Sequence, residues 1–175
     1  MNDNEFIFCQ TLTNVELLNE LFRREFLNSD YYKQIWADGS SNSNIFRKVM
    51  NAPGLGNPAM LQMFLYGLLV MPRELVGDDF CKDEFNNEAK NYVEEYSSSY
   101  DNEGDRSMCN YYRHIRNAVA HSKCEYVSDD KNTYVIFYDQ DNRNHSCQIK
   151  MKTSNVGRLF DFLRIKLMEY INDNM

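Results

Sequence analysis

Apolar side chains return at helical intervals along most of this chain. Thr13-Asn14-Val15-Glu16 has the spacing of a capping box, and Leu17, Leu18, Leu21, Phe22 and Phe26 follow it on one face. The pattern predicts a helix over 14–28, with a shorter segment behind it at Tyr31, Tyr32, Ile35 and Trp36. Residues 37–44 (ADGSSNSN) read as a loop, 45–50 as a short helical turn, and 51–58 (NAPGLGNP) as a second loop. Asn57 and Pro58 suit the N-cap and first turn of the next helix. That helix, 59–71, is apolar nearly all round and marks the centre of the core, with Pro72 expected to end it. An acid-rich amphipathic helix is predicted over 83–96, a polar loop over 97–105 and another helix over 106–122. The period then changes. Residues 134–138 (YVIFY) and 146–151 flank a polar turn and read as a β-hairpin. Ser154 caps a closing helix whose Val156, Leu159, Phe160, Leu163, Leu167 and Tyr170 share one face. No repeat or boundary divides the pattern. One mainly α domain over 1–175 is expected, a helical bundle with a β-hairpin insert before the last helix.

Composition narrows the classes. The 175 residues are 43% apolar and 14% aromatic, enough for a real core and too apolar for a disordered chain. No uninterrupted apolar run reaches membrane-spanning length, since Gln62, Gly67 and Pro72 break the best candidate. The N-terminus lacks the basic and apolar regions of a signal peptide. The five Cys are scattered without a CxxC pair, which suggests neither a zinc site nor a disulfide framework. A reducing cytoplasm, no membrane and no metal or other cofactor are the expectations.

The net charge of −7 argues against a nucleic-acid partner until its distribution is considered. Ten acids between Asp78 and Asp105 face only Lys82 and Lys90, so the excess lies in one segment. Ser107 to Cys124 holds no acid, but does hold Arg113, Arg116, Lys123, His114 and His121. Such asymmetry permits an anionic ligand at one place.

At about 100° per residue, Tyr111, Tyr112, Ile115, Ala118 and Val119 fall on one side of that helix. Arg113, His114, Arg116, Asn117, Ala120 and His121 fall on the other. A solvated face normally mixes Glu with Lys, whereas this one has Arg, His and Asn. Imidazole titrates near neutrality and is the commonest general acid–base. Guanidinium is a planar fork suited to phosphate. The combination suggests phosphodiester chemistry, with a merely solvated polar face as the plain alternative. Arg116 and His121 lie about 140° apart on the wheel. One helix does not aim both at one point unless Arg116 bends round, whereas two antiparallel copies can supply one group each.

Arg116-Asn117-Ala118-Val119-Ala120-His121 resembles the Arg-x4-His motif of the HEPN superfamily, as does the order of central helix, motif helix, hairpin and closing helix. The resemblance implies an up-and-down helical bundle. It also implies a metal-independent endoribonuclease, a toxin or phage-defence effector, that acts on RNA as a homodimer through the motif helix. His121 would exchange protons with the ribose 2′-hydroxyl or the departing 5′-oxygen. Arg116 would neutralise the pentacoordinate phosphorane, and Asn117 would orient His121 or the phosphate. Arg113 and His114 would help bind substrate. An antitoxin or regulatory protein is an expected partner. Lys123 stands where some HEPN toxins carry a modified Tyr, which puts control by that modification in doubt. Some members only bind RNA, a nucleotide or a protein, and that is the alternative function.

Other features carry less. His145 falls in the hairpin turn and is expected to be exposed. Gly54 and Gly56 precede a helix but lack the Lys-Ser/Thr of a phosphate loop. Lys150, Lys152, Arg158, Arg164 and Lys166 could supplement RNA binding or simply be solvated.

Overall fold

The computed structural model describes residues 2–35, 39, 44, 45, 48, 57–77, 83–102, 110–140 and 145–174. Most of the predicted turn of helix at 45–50, nearly all of the two loops before Asn57, and residues 106–109 lie outside them.

Helix α1 (Asp3–Arg23) starts eleven residues before the predicted position. The capping-box spacing occurs twice, and Asn2 with Glu5 is the pair that forms it. Asn2 Oδ1 accepts from the Glu5 N–H at 2.9 Å, and the Asn2 N–H donates to Glu5 Oε2 at 2.6 Å. Thr13 instead lies mid-helix and donates its hydroxyl to the Cys9 carbonyl at 2.8 Å. Phe8, Leu12 and Val15 form the buried stripe, while Leu17 and Phe22 are exposed. A 3₁₀ turn (Phe26–Asn28) and the short helix α2 (Asp30–Ile35) follow.

The central helix begins as predicted. Asn57 Oδ1 accepts from the Met60 N–H at 3.0 Å, and Pro58 opens α3 (Pro58–Leu65). It does not stop at Pro72. A π-helical segment (Tyr66–Val70) intervenes, the Met71 N–H reaches back to the Tyr66 carbonyl, and α4 (Met71–Val76) carries the axis on. The wider turn changes the bonding where Pro72 has no N–H to give and where its ring would otherwise crowd the preceding turn. Pro58–Val76 is the one helix among the described residues long and apolar enough to cross a membrane. Here Leu61, Phe64, Leu65, Leu68, Leu69 and Val70 are buried in the core.

Helix α5 (Asp83–Tyr96) leads directly into β1 (Ser97–Asn102), where the sequence suggested a polar loop. Helix α6 (Tyr111–Ala120) carries the Arg-x4-His motif. Three strands follow, β2 (Cys124–Ser128), β3 (Thr133–Gln140) and β4 (Ser146–Lys152), before α7 (Thr153–Asn174) closes the chain. The sheet is antiparallel in the order β1-β4-β3-β2, so the predicted hairpin is its centre and two strands flank it. The flanking strands gave weak signals, since SSSYDN is a polar edge strand and CEYVS is short. The protein is thus mainly helical with one small antiparallel sheet. Val135, Phe137, Ile149 and Met151 face the helices and share one buried cluster with Val156, Leu159, Leu163 and Leu167 of α7.

Candidate functional site

Helix α6 starts at Asn110, whose Oδ1 accepts from the Arg113 N–H at 2.8 Å. Its apolar side is the one the wheel selects, with Tyr111, Tyr112, Ile115, Ala118 and Val119 all buried. Two long hydrogen-bonded side chains fix its height. Tyr112 donates its hydroxyl to the Leu69 carbonyl in the π segment at 3.1 Å. Gln62, from the middle of α3, donates to the Val119 carbonyl at 3.1 Å and accepts from the Tyr126 hydroxyl at 3.4 Å. The Val119 carbonyl is one that the end of the helix leaves without a full set of partners, so Gln62 serves as a cap.

The polar side divides. His114 and Asn117 turn toward β3 and meet Asp139. His114 Nδ1 lies 2.7 Å from Asp139 Oδ2, and Asn117 Nδ2 donates to the same oxygen at 3.1 Å. Asp139 is 7% exposed, the one buried charged residue among those described. Asn117 presents its NH₂ to the carboxylate, and His114 Nδ1 shares the same oxygen. The Asn117 carbonyl is thereby aimed the other way, where it accepts from Arg116 Nη2 at 3.1 Å. The Arg116 guanidinium is thereby turned toward Asn117.

His121 ends the helix, with its side chain exposed. Behind it Ser122 adopts a left-handed φ of 54°. The Ser122 N–H donates to the Val119 carbonyl at 3.2 Å and the Lys123 N–H to the Ala118 carbonyl at 2.8 Å. This is a Schellman closure with Ser in the place usually held by Gly. The Lys123 carbonyl accepts from the Tyr138 N–H at 3.0 Å, which joins the turn to the sheet. The backbone under His121 is thus fixed while its imidazole faces solvent.

The model of the family described as HEPN pEK499 p136 matches residues 1–174. The chain belongs to the HEPN family. No curated protein and no solved structure matches it.

On this HEPN chain the motif residues separate into those packed against the sheet and those that project. His114 is held to Asp139 with its side chain 13% exposed. Asn117 and Arg116 are half-buried and linked, whereas Arg113, Ala120 and His121 are exposed. His145 is exposed just before β4, as expected of the hairpin turn. Asp139 is the site residue missed in the sequence. Its signal was position: Val135, Phe137 and Asp139 occupy the inward places of one strand, and an acid in that series is out of character. Cys124 lies beside Gln62 at the same end of α6, and burial pushes its thiol up to about 11. Among the described residues no group of three or more His, Cys, Asp or Glu is placed to hold a metal ion.

Proposed function

We propose that this HEPN chain is an endoribonuclease that cleaves RNA by attack of the ribose 2′-oxygen on the adjacent phosphorus. The observation that carries the reading is the end of α6. There His121 is exposed on a fixed turn, and the Arg116 guanidinium is turned toward Asn117. His121 takes the 2′-hydroxyl proton or delivers one to the departing 5′-oxygen. Arg116 meets the charge that develops on the phosphorane. The P–O5′ bond breaks as the P–O2′ bond forms, leaving a 2′,3′-cyclic phosphate and a 5′-hydroxyl. Arg113, exposed one turn before Asn117, extends the cationic surface along the strand.

In this reading the helices keep the up-and-down order of the family, and two protomers pair through α6, where the exposed Ala120 lets backbones approach. Two-fold pairing brings two copies of Arg113, Arg116 and His121 to one cleft. A toxin or defence role, with an antitoxin or regulatory partner, fits such an enzyme.

The test is cleavage of a mixed RNA pool in EDTA by wild type, His121→Ala and Arg116→Ala. The wild type should produce fragments with 5′-hydroxyl ends, and each variant should lose roughly a hundredfold or more in rate. RNA bound but never cut would assign the same face to a non-catalytic binding module.

A further inference from the structure

The hydrogen bonds at Asp139 run in one direction, and that direction has a consequence for Arg116. Asp139 Oδ2 takes a hydrogen from Asn117 Nδ2 at 3.1 Å and faces His114 Nδ1 at 2.7 Å. The amide of Asn117 has two ends, a donor and an acceptor, and only the surroundings decide which way it points. A carboxylate can only accept. It therefore selects the orientation in which the Asn117 carbonyl faces Arg116, 3.1 Å from Nη2. Reversed, the amide would set its NH₂ against the guanidinium, donor to donor, and Arg116 would have no acceptor there.

We propose that Asp139 is a positioning residue for Arg116, acting through the amide of Asn117 from a strand outside the motif helix. This rests on the reading of Arg116 as the group that meets the phosphorane. Asp139 is too buried to touch an RNA phosphate, and its charge would repel one. What it contributes is a fixed sense to the Asn117 dipole, so that the guanidinium is already turned toward Asn117 before substrate arrives. Preorganisation of this kind spares the reaction a reorganisation step. It also gives the sheet a task at the site. β3 carries the buried carboxylate, and the bond from the Tyr138 N–H to the Lys123 carbonyl holds the turn behind His121. One strand thus sets both members of the Arg-x4-His pair.

The experiment is a mutant cycle on the full chain. Asp139→Asn preserves shape but offers a donor as well as an acceptor, so it no longer dictates which end of Asn117 it meets. Turnover at saturating RNA and KM are measured separately for wild type, Asp139→Asn, Asn117→Ala and the double variant. Each single change should lower turnover roughly tenfold with KM within about twofold, and the double variant should fall no further than the worse single. Asp139→Asn turning over at the wild-type rate would overturn the proposal. So would a double variant whose loss is the product of the two. If Asp139→Asn melts at the assay temperature, Asp139→Ser replaces it, since its hydroxyl can accept from the amide NH₂ or donate to the amide oxygen. The Arg116 Nε–H resonance, assigned with Arg116→Lys, is followed in the same proteins and should move in the Asp139 variant. Should the wild type cut no RNA, the nuclease reading falls by itself. The resonance then decides: a shift supports the positioning chain and an unmoved signal overturns it.

Discussion

At φ 54° the Cβ of Ser122 crowds the carbonyl that follows it, a clash that glycine does not have. Ser122→Gly should raise stability by about 0.5–1 kcal/mol, read as a higher melting temperature. His121 precedes it with an exposed side chain, so His121→Ala should leave that temperature unchanged whatever it does to cleavage. A second residue-scale prediction concerns alkali. Burial raises the Cys124 thiol from about 9 to about 11 and the Tyr126 phenol from about 10 to about 12. Both groups are neutral when protonated, and the fold favours that form. Their contribution is whole below pH 9 and is lost as pH rises through 11 and 12. The urea midpoint should fall across that window, and less steeply in Cys124→Ala/Tyr126→Phe. The wheel made one face of α6 legible because helical geometry alone sorts its residues. Asp139 was not legible: its partners His114 and Asn117 lie more than twenty residues away, and pairing register, which no local pattern contains, brings them together.

Among the elements, the central helix shows how a polar residue can be read too simply. Gln62 interrupts the apolar run, yet it reaches the Val119 carbonyl and the Tyr126 hydroxyl at the end of the motif helix. Gln62→Leu keeps the volume and removes both bonds, leaving the Val119 carbonyl with its bond from the Ser122 N–H and the Tyr126 hydroxyl without Gln62. A loss of about 1–3 kcal/mol is expected from denaturant titration. Pro72 misled for a related reason. A proline ends a regular helix, and nothing in the local spacing announces the π turn that lets the axis continue. At Gly67, inside that turn, an added Cβ would stand 3.2 Å from Val15 Cγ2, so the close approach of α1 depends on glycine there. Helices with strong periodicity were visible in the sequence, and so was the hairpin. β1 escaped because its Ser-rich stretch earns its place by pairing with β4 rather than by its own propensity.

For the whole molecule, the proposed pairing through α6 makes a joint prediction. Ala120→Trp should convert the dimer to a monomer by light scattering and abolish cleavage in the same preparation. A monomer that cuts RNA at full rate would place the complete site in one chain.

The strand order has a consequence for how the molecule comes together. The turns β2–β3 and β3–β4 close over a handful of residues, but β1 meets β4 only by enclosing residues 103–145, which include the whole motif helix. Closing a loop of roughly 40 residues costs about 2 kcal/mol more chain entropy than closing one of roughly five. β1 is therefore expected to be the last strand to add, to a hairpin that carries Asp139. Damage to β1 should hasten opening while leaving refolding nearly as fast. The strand least recognisable in the sequence is then a latch, closing around a site assembled without it.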